Sequence, residues 1–235
     1  MHGNERKPLL ITFSGLDGSG KSTQIANLLD HLRGAGLKVV TLAFWDDVVV
    51  GKPYREGFVH KVYGSEKGIG APGKPVNRQD KNVRKWYLSI ARHGLYLLDA
   101  VHLCEVVARA RRGHPDVIVM DRYLYDELAN LPLQNPVSRG FAKAMHGLVP
   151  RPDVAYFLDA DPVAARARKP EYPVDFMIKS RAAYKQLAAL LKMITIVPAG
   201  GIEEMKAAVI EAAQRALGGR KAAPKPAPEP LETVA

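Results

Sequence analysis

The sequence has little cysteine, few aromatic residues and no long hydrophobic run. A single cysteine, Cys104, among 235 residues excludes an intramolecular disulfide and a cysteine-rich metal site. No apolar stretch approaches the roughly 18 residues of a membrane-spanning helix, and residues 1–7 are too short and too polar for a secretory signal. From these absences we expect a cytoplasmic protein with no membrane partner.

The composition is otherwise that of an ordinary globular protein. With 47% apolar and 25% charged residues, the chain is long enough for one α/β domain with a sizeable core, which we place at residues 1–217. Residues 218–235 are rich in proline, alanine and charge, and we expect them to form a disordered tail. Cys104 falls on an apolar helical stripe, which favours a buried structural thiol.

The net charge of +10 is local rather than global. Residues 51–92 hold ten lysines and arginines against three acids, which accounts for +7 of the total. Within that stretch, residues 51–80 form a basic loop rich in glycine and proline. A basic lining suits a small polyanionic substrate, although a solvated loop would have the same composition. No regular aromatic platform for stacked bases is evident among these cations, so nucleic acid is not the partner we expect.

The most informative stretch is residues 15–23, which read Gly-Leu-Asp-Gly-Ser-Gly-Lys-Ser-Thr. They match G-x-x-x-x-G-K-[ST], a loop whose backbone N–H groups point at phosphate oxygens. An apolar run at 9–13 predicts a strand before the loop, and apolar residues at helical spacing predict a helix that begins near Lys21. The residues expected to bind nucleotide are Gly15, Asp17, Gly18, Ser19, Gly20, Lys21, Ser22 and Thr23.

This loop predicts ATP as a ligand and Mg²⁺ as its cofactor. The ammonium group of Lys21 would reach the β- and γ-phosphates, and the hydroxyl of Ser22 would ligate the metal. The positive end of the helix dipole would add to the attraction for phosphate.

Five predicted strands alternate with helices along the chain. This pattern predicts a three-layer α/β/α P-loop NTPase fold with a five-stranded parallel sheet. The third strand ends in Asp121-Arg122-Tyr123, and an acid at that place beside a phosphate loop favours water-mediated Mg²⁺ ligation by Asp121. Asp46 and Asp47 follow the second strand, where they can either cap a turn or face a ligand.

A group of cations follows the fourth strand. Arg166, Arg168 and Lys169 lie within residues 163–173, after an aspartate and a proline that are typical of a helix start. They would form a solvated face or a lid that brings arginines to the transferring phosphoryl group. We favour the lid, with Arg166 and Arg168 as catalytic residues.

Three segments resemble the thymidylate kinase-like nucleoside monophosphate kinases. Residues 13–24 are similar to that family's phosphate loop, 121–123 to its D-R-[YH] motif, and 152–164 to its P-D-x-x-x-x-L-D-x-x-P-x-x-A run. They occur in the family's order over residues 8 to 215. The resemblance implies an ATP-dependent kinase that phosphorylates a nucleoside monophosphate, by default dTMP.

The resemblance also implies roles for individual residues. Asp17 would approach the acceptor's sugar hydroxyl, Arg122 would hold the acceptor or transferring phosphate, and Asp121 would act through Mg²⁺. One subtype of the family supplies its cation from the lid instead of the phosphate loop, and Gly18 together with the lid arginines resembles that subtype. We also expect a homodimer formed through the long helical pattern of residues 82–110.

The acceptor half of the family pattern is altered. The family's R-E-P-G-G-T-like segment is replaced after the second strand by Phe-Trp-Asp-Asp-Val at residues 44–48. The family's Ala-Arg pair has no clean equivalent, because Ala100 occupies the arginine's usual place and Ala91-Arg92 lies about two helical turns earlier.

Two alternatives to a monophosphate kinase stay open. A P-loop kinase of deoxynucleosides would use Asp46 or Asp47 to take a hydroxyl proton from its acceptor. A non-catalytic, nucleotide-dependent module would bind nucleic acid through residues 51–92.

Overall fold

A computed structural model describes residues 7–50 and 86–219, with side chains from residue 92 onward in the helix that begins at Trp86. The strands are β1 (Leu9–Gly15), β2 (Val39–Ala43), β3 (Val117–Asp121), β4 (Val154–Leu158) and β5 (Ile194–Val197). The helices are α1 (Lys21–Gly34), α2 (Trp86–Arg112), α3 (Leu124–Leu128), α4 (Pro136–Leu148), α5 (Pro162–Arg168), α6 (Val174–Leu191) and α7 (Ile202–Gly218), and a π-helical turn covers Phe44–Val48.

The five strands form one parallel sheet in the order β2-β3-β1-β4-β5. β1 is therefore the central strand, with β3 and β2 on one side of it and β4 and β5 on the other. Ligands of such sheets bind at the carboxyl ends of the strands, at the place where the strand order reverses. The phosphate loop leaves β1 there, between the ends of β3 and β4.

Alternating residues of the central strands divide the core into two layers. On one face Leu9, Ile11 and Phe13 pack with residues of α1 and α7, including Leu28 and Val209. On the other face a larger cluster joins β1 and β3 to α2, α3, α4 and α6. Because both faces are covered, the central strands β1, β3 and β4 are buried along almost their whole length, as is typical of parallel sheets. The predicted three-layer α/β/α fold is confirmed.

Several local features differ from the sequence-based expectation. The long helix ends at Arg112, and the chain adds a π-helical turn after β2 and a short helix, α3, after β3. The thiol of Cys104 is partly exposed rather than buried, and it donates to the Leu148 carbonyl at 3.6 Å. The long helix turns this side chain toward the end of α4 at the rim of the core.

Some expectations fall beyond the described residues. The basic loop of 51–80 and residues 220–235 of the expected tail lie outside them, whereas Gly218 is still the last residue of α7. Among the helices that the structure describes, none is both long enough and apolar enough to cross a membrane.

Candidate active site

The phosphate loop occupies the connection between β1 and α1. Gly20 precedes the helix with a φ of +90°, a left-handed conformation that favours glycine, and Lys21 is the first helical residue. Ser19 is buried, while Ser22 and Thr23 are exposed in the first turn of α1. The predicted strand, glycine loop and helix therefore stand in the expected order, with the N-terminus of α1 open to an anion.

Lys21 folds back onto the loop. Its Nζ donates to the Gly15 carbonyl at 2.9 Å and to the Leu16 carbonyl at 2.7 Å. Burial, followed by the nearby positive charge of Arg122, lowers the pKa of Lys21 to about 8. A buried ammonium group held by carbonyl oxygens is ready to pair with the stronger charge of a phosphate.

Arg122 lies between two carboxylates. Its Nη2 donates to Asp17 Oδ1 at 2.5 Å, and its Nη1 donates to Asp126 Oδ1 at 3.0 Å. The backbone of Arg122 has a φ of +64°, and its N–H donates to the Phe13 carbonyl at 2.8 Å. The side chain predicted to hold phosphate is thus fixed against the phosphate loop, on a strained backbone of the kind found at functional sites.

Asp121 ends β3 directly beside β1, where its Cα pairs in register with that of Phe13. Burial raises its pKa above the ordinary value, while the charges of Lys21 and Arg122 act in the opposite direction. Within the described part of the chain, its Oδ1 is buried without a hydrogen-bond partner. A buried carboxylate oxygen in that state fits a cation-binding role.

The predicted lid is a short helix, α5, with the loop that follows it. Asp161 caps the helix by accepting from the Ala164 N–H at 2.9 Å, and Pro162 is its first residue. Arg168 Nε donates to the Gly18 carbonyl of the phosphate loop at 2.8 Å. Arg166 Nε instead donates to the Tyr172 carbonyl at 3.2 Å, within the lid itself. The structure therefore brings Arg168, and not Arg166, onto the loop.

Gly18 lies directly beneath the lid helix. A Cβ at this position would stand 2.3 Å from the carbonyl oxygen of Ala165, and the residue has a φ of +78°. Both the close approach and the backbone conformation require glycine. The lid helix can therefore rest on the phosphate loop in this way only because residue 18 has no side chain.

In the turn after β2, the structure shows a capping role for one of the two acids. Asp47 Oδ2 accepts from the Ala43 N–H at 2.6 Å, so Asp47 caps the π-helical turn, and both acids are exposed. Helix α2 supports the chain that follows this turn. Asp99 Oδ1 accepts from the Val50 N–H at 2.9 Å, and His102 Nδ1 lies 2.6 Å from the Val48 carbonyl oxygen.

The sequence alone did not identify the residues that contact Arg122 on its buried side. Asp126 on α3 contacts Arg122, Ser14 at the end of β1 and Tyr184 on α6. An acid three residues after Tyr123 was the available signal, because that spacing allows a carboxylate to reach back to the helix start. Tyr184 carries no local signal, since only the tertiary fold brings it there.

Comparison with known proteins gives consistent relatives. No protein-family model matches the sequence. The thymidylate kinase of Leifsonia xyli subsp. xyli is 30% identical over 220 residues, which cover 87% of this chain and 93% of that protein. The probable thymidylate kinase of Pyrobaculum aerophilum is 28% identical over 223 residues, covering 88% and 97%. The crystal structure of thymidylate kinase from Ehrlichia chaffeensis shares the fold, with a TM-score of 0.55 and 17% identity over 89% of this chain and all of that one.

Proposed function

This chain belongs to the thymidylate kinase family, a family of nucleoside monophosphate kinases, and we propose that it transfers the γ-phosphoryl group of ATP to a nucleoside monophosphate, by default dTMP. The observation that carries this proposal is the convergence of cations on the loop. Lys21, Arg122 and Arg168 come from three different elements, yet each contacts an oxygen of residues 15–18. Such cations are what phosphoryl transfer needs, because its catalysis consists mainly of positioning and charge stabilisation.

The proposed reaction is an in-line displacement. An oxygen of the acceptor phosphate forms a bond to the γ-phosphorus while the bond from that phosphorus to the β,γ-bridging oxygen breaks, and ADP leaves. Lys21 on the β- and γ-phosphates, with Arg122 and Arg168 beside the loop, would stabilise the charge that spreads over the transferring group. No general base is required, because the acceptor phosphate is already ionised.

The residues present fit a Mg²⁺ ion. Asp121 offers a buried carboxylate oxygen that has no other partner in the described chain, and Ser22 offers an exposed hydroxyl in the first turn of α1. These hard oxygen donors suit magnesium, which is usually held by one or two protein ligands together with phosphates and water. When bound, the ion neutralises charge on the β- and γ-phosphates.

The identity of the acceptor is tested by measuring ADP release from Mg·ATP with a panel of nucleoside monophosphates and nucleosides. Lys21→Ala, which lacks the loop cation, serves as the blank. Turnover with dTMP supports the default acceptor, and turnover with another monophosphate supports the reaction while moving its specificity to the altered segment after β2. Silence across the panel from a protein that still binds ATP contradicts the proposal.

Turnover with nucleosides alone would favour a deoxynucleoside kinase instead. Asp46 and Asp47, which are both exposed in the turn after β2, would be the bases to test in that case, by Asp46→Asn and Asp47→Asn.

We also propose a homodimer through α2. The middle of this helix exposes apolar side chains at helical spacing, with Leu98 at 55% and Val101 at 57% of their full exposure, next to partly exposed Leu97. Neighbouring apolar side chains left in water on one face of a helix favour association. Sedimentation of wild-type protein beside Val101→Lys, with Val137→Lys at a still more exposed position of α4 as the control, tests this surface.

A further inference from the structure

The guanidinium group of Arg122 has an outer and an inner partner. Asp17, the outer one, belongs to the phosphate loop and its side chain is 24% exposed, whereas the Asp126 side chain is only 3% exposed. Each carboxylate takes a different nitrogen of Arg122, so the planar group is held from two sides. A substrate at the loop can compete with Asp17 for Arg122. Asp126 lies on the buried side of the arginine, away from that substrate.

The inner carboxylate is fully used by protein donors. Asp126 Oδ1 accepts from Arg122 Nη1 and from the Tyr184 hydroxyl at 2.6 Å. Asp126 Oδ2 accepts from the Ser14 hydroxyl at 2.6 Å and from the Tyr123 N–H at 3.1 Å. Four donors fill the four lone-pair directions of a carboxylate, so Asp126 has no acceptor site left for a ligand. Its function must therefore be exerted through the residues that it holds.

These donors come from the parts of the fold that the reaction has to align. Ser14 immediately precedes the phosphate loop, Tyr123 follows the end of β3, and Tyr184 lies on α6, the helix that begins just after the lid. The Tyr184 ring stacks on Phe157 of β4 with centroids 5.0 Å apart, which fixes its hydroxyl. Asp126 thus ties Arg122 to the loop and to the helix behind the lid through one carboxylate.

We infer that Asp126 is a positioning residue, which holds the Arg122 guanidinium against the phosphate loop for phosphoryl transfer. This inference rests on the proposed function. Without the inner carboxylate, Arg122 would keep only its exposed partner Asp17, and its side chain would be free to swing. Misplacement of a catalytic group by about 1 Å typically costs about 10²-fold in rate.

The first test measures Arg122 itself, without any substrate. Because Nη1 and Nη2 bind different carboxylates, we expect slow rotation of the guanidinium and two distinct ¹⁵N signals, assigned by their loss in Arg122→Lys. Asp126→Asn should average these signals. Asp159→Asn is the matched control, since it removes a buried carboxylate from Arg181 and leaves the partners of Arg122 in place. Distinct signals in Asp126→Asn, or averaged signals in Asp159→Asn, would overturn the inference.

The second test is a double-mutant cycle on turnover with the acceptor found in the panel. Asp126→Asn should lower kcat/KM about 10²-fold in the wild-type background. In the Arg122→Lys background it should cost less than about twofold, because the residue through which Asp126 acts is already altered. An equal loss in both backgrounds would show a general structural role and would refute the inference.

Tyr184→Phe keeps the carboxylate and provides a second variant if Asp126→Asn does not fold. It should lower kcat/KM about tenfold, the equivalent of one hydrogen bond to a charged group, and have no effect on kcat/KM in the Arg122→Lys background. If the wild-type protein phosphorylates no acceptor, the proposed function fails, while the ¹⁵N signals of Arg122 still decide whether Asp126 positions it.

Discussion

The contact between Gly18 and the lid helix allows a quantitative prediction for Gly18→Ala. The new Cβ would stand 2.3 Å from the Ala165 carbonyl oxygen, so that carbonyl must retreat by about 1 Å to reach an ordinary van der Waals distance. Overpacking of this kind costs about 1–3 kcal/mol, in addition to about 1–2 kcal/mol for an alanine in the left-handed region. If α5 gives way instead, the Arg168–Gly18 hydrogen bond breaks and the lid cation leaves the loop.

Gly36→Ala isolates the contact from the backbone effect. Gly36 has a φ of +75°, almost the same as the +78° of Gly18, but a Cβ there would meet nothing within 4 Å, and it lies at the far end of α1. Both variants should lose the same free energy of unfolding for placing an alanine in the left-handed region, which urea unfolding of the ligand-free protein measures. Gly18→Ala should lose either a further 1–3 kcal/mol, roughly, or about 10²-fold in kcat as the lid shifts. A Gly18→Ala protein as stable and as active as Gly36→Ala would refute the reasoning.

The remaining predictions concern the loop cation, the lid cap and the exposed helix. Because phosphate favours the charged form of Lys21, whose pKa is about 8 in the free protein, affinity for Mg·ATP should be flat below pH 8 and fall about tenfold per pH unit above it. Calorimetry should show that slope disappear in Lys21→Ala, and a slope that survives there would contradict the assignment. Asp161→Ala should cost about 1 kcal/mol of unfolding free energy and also lower kcat, whereas the same change at the α4 cap, Asn135→Ala, should affect stability alone. Val101→Lys should give monomers in sedimentation, while a dimer of unchanged strength would exclude the α2 face.

The sequence predicts those parts of the fold that depend on local pattern. The apolar run before the glycine loop, the helix start at Lys21 and the Asp161–Pro162 cap are each determined by residues within one turn of each other, and the structure has all three. All five predicted strands are also present, because each is a short apolar run between turn residues.

Features that depend on distant partners were beyond prediction. The order of the strands is set by contacts between distant segments, and the last residue of the π-helical turn and the chain just after it contact His102 and Asp99, some 50 residues further along the chain. Tyr184 and Asp126 are 58 residues apart, and no periodicity links them. The roles of the site residues taken from the loop and the lid stay predictions, although in the structure Lys21, Arg122 and Arg168 each contact the phosphate loop.

The left-handed backbone of Arg122 has a consequence for protein engineering. The described residues include three positions other than glycine with positive φ, which are His114, Arg122 and Lys192. Asparagine or glycine tolerates that conformation better, so on backbone grounds alone such replacements would stabilise the protein at all three positions. At Lys192, which ends α6, the gain would come without any contact to the site. At Arg122 the same backbone gain would be outweighed, because loss of the guanidinium leaves the buried Asp126 carboxylate without its ion-pair partner; selection for stability alone therefore also retains the arginine that we propose binds phosphate.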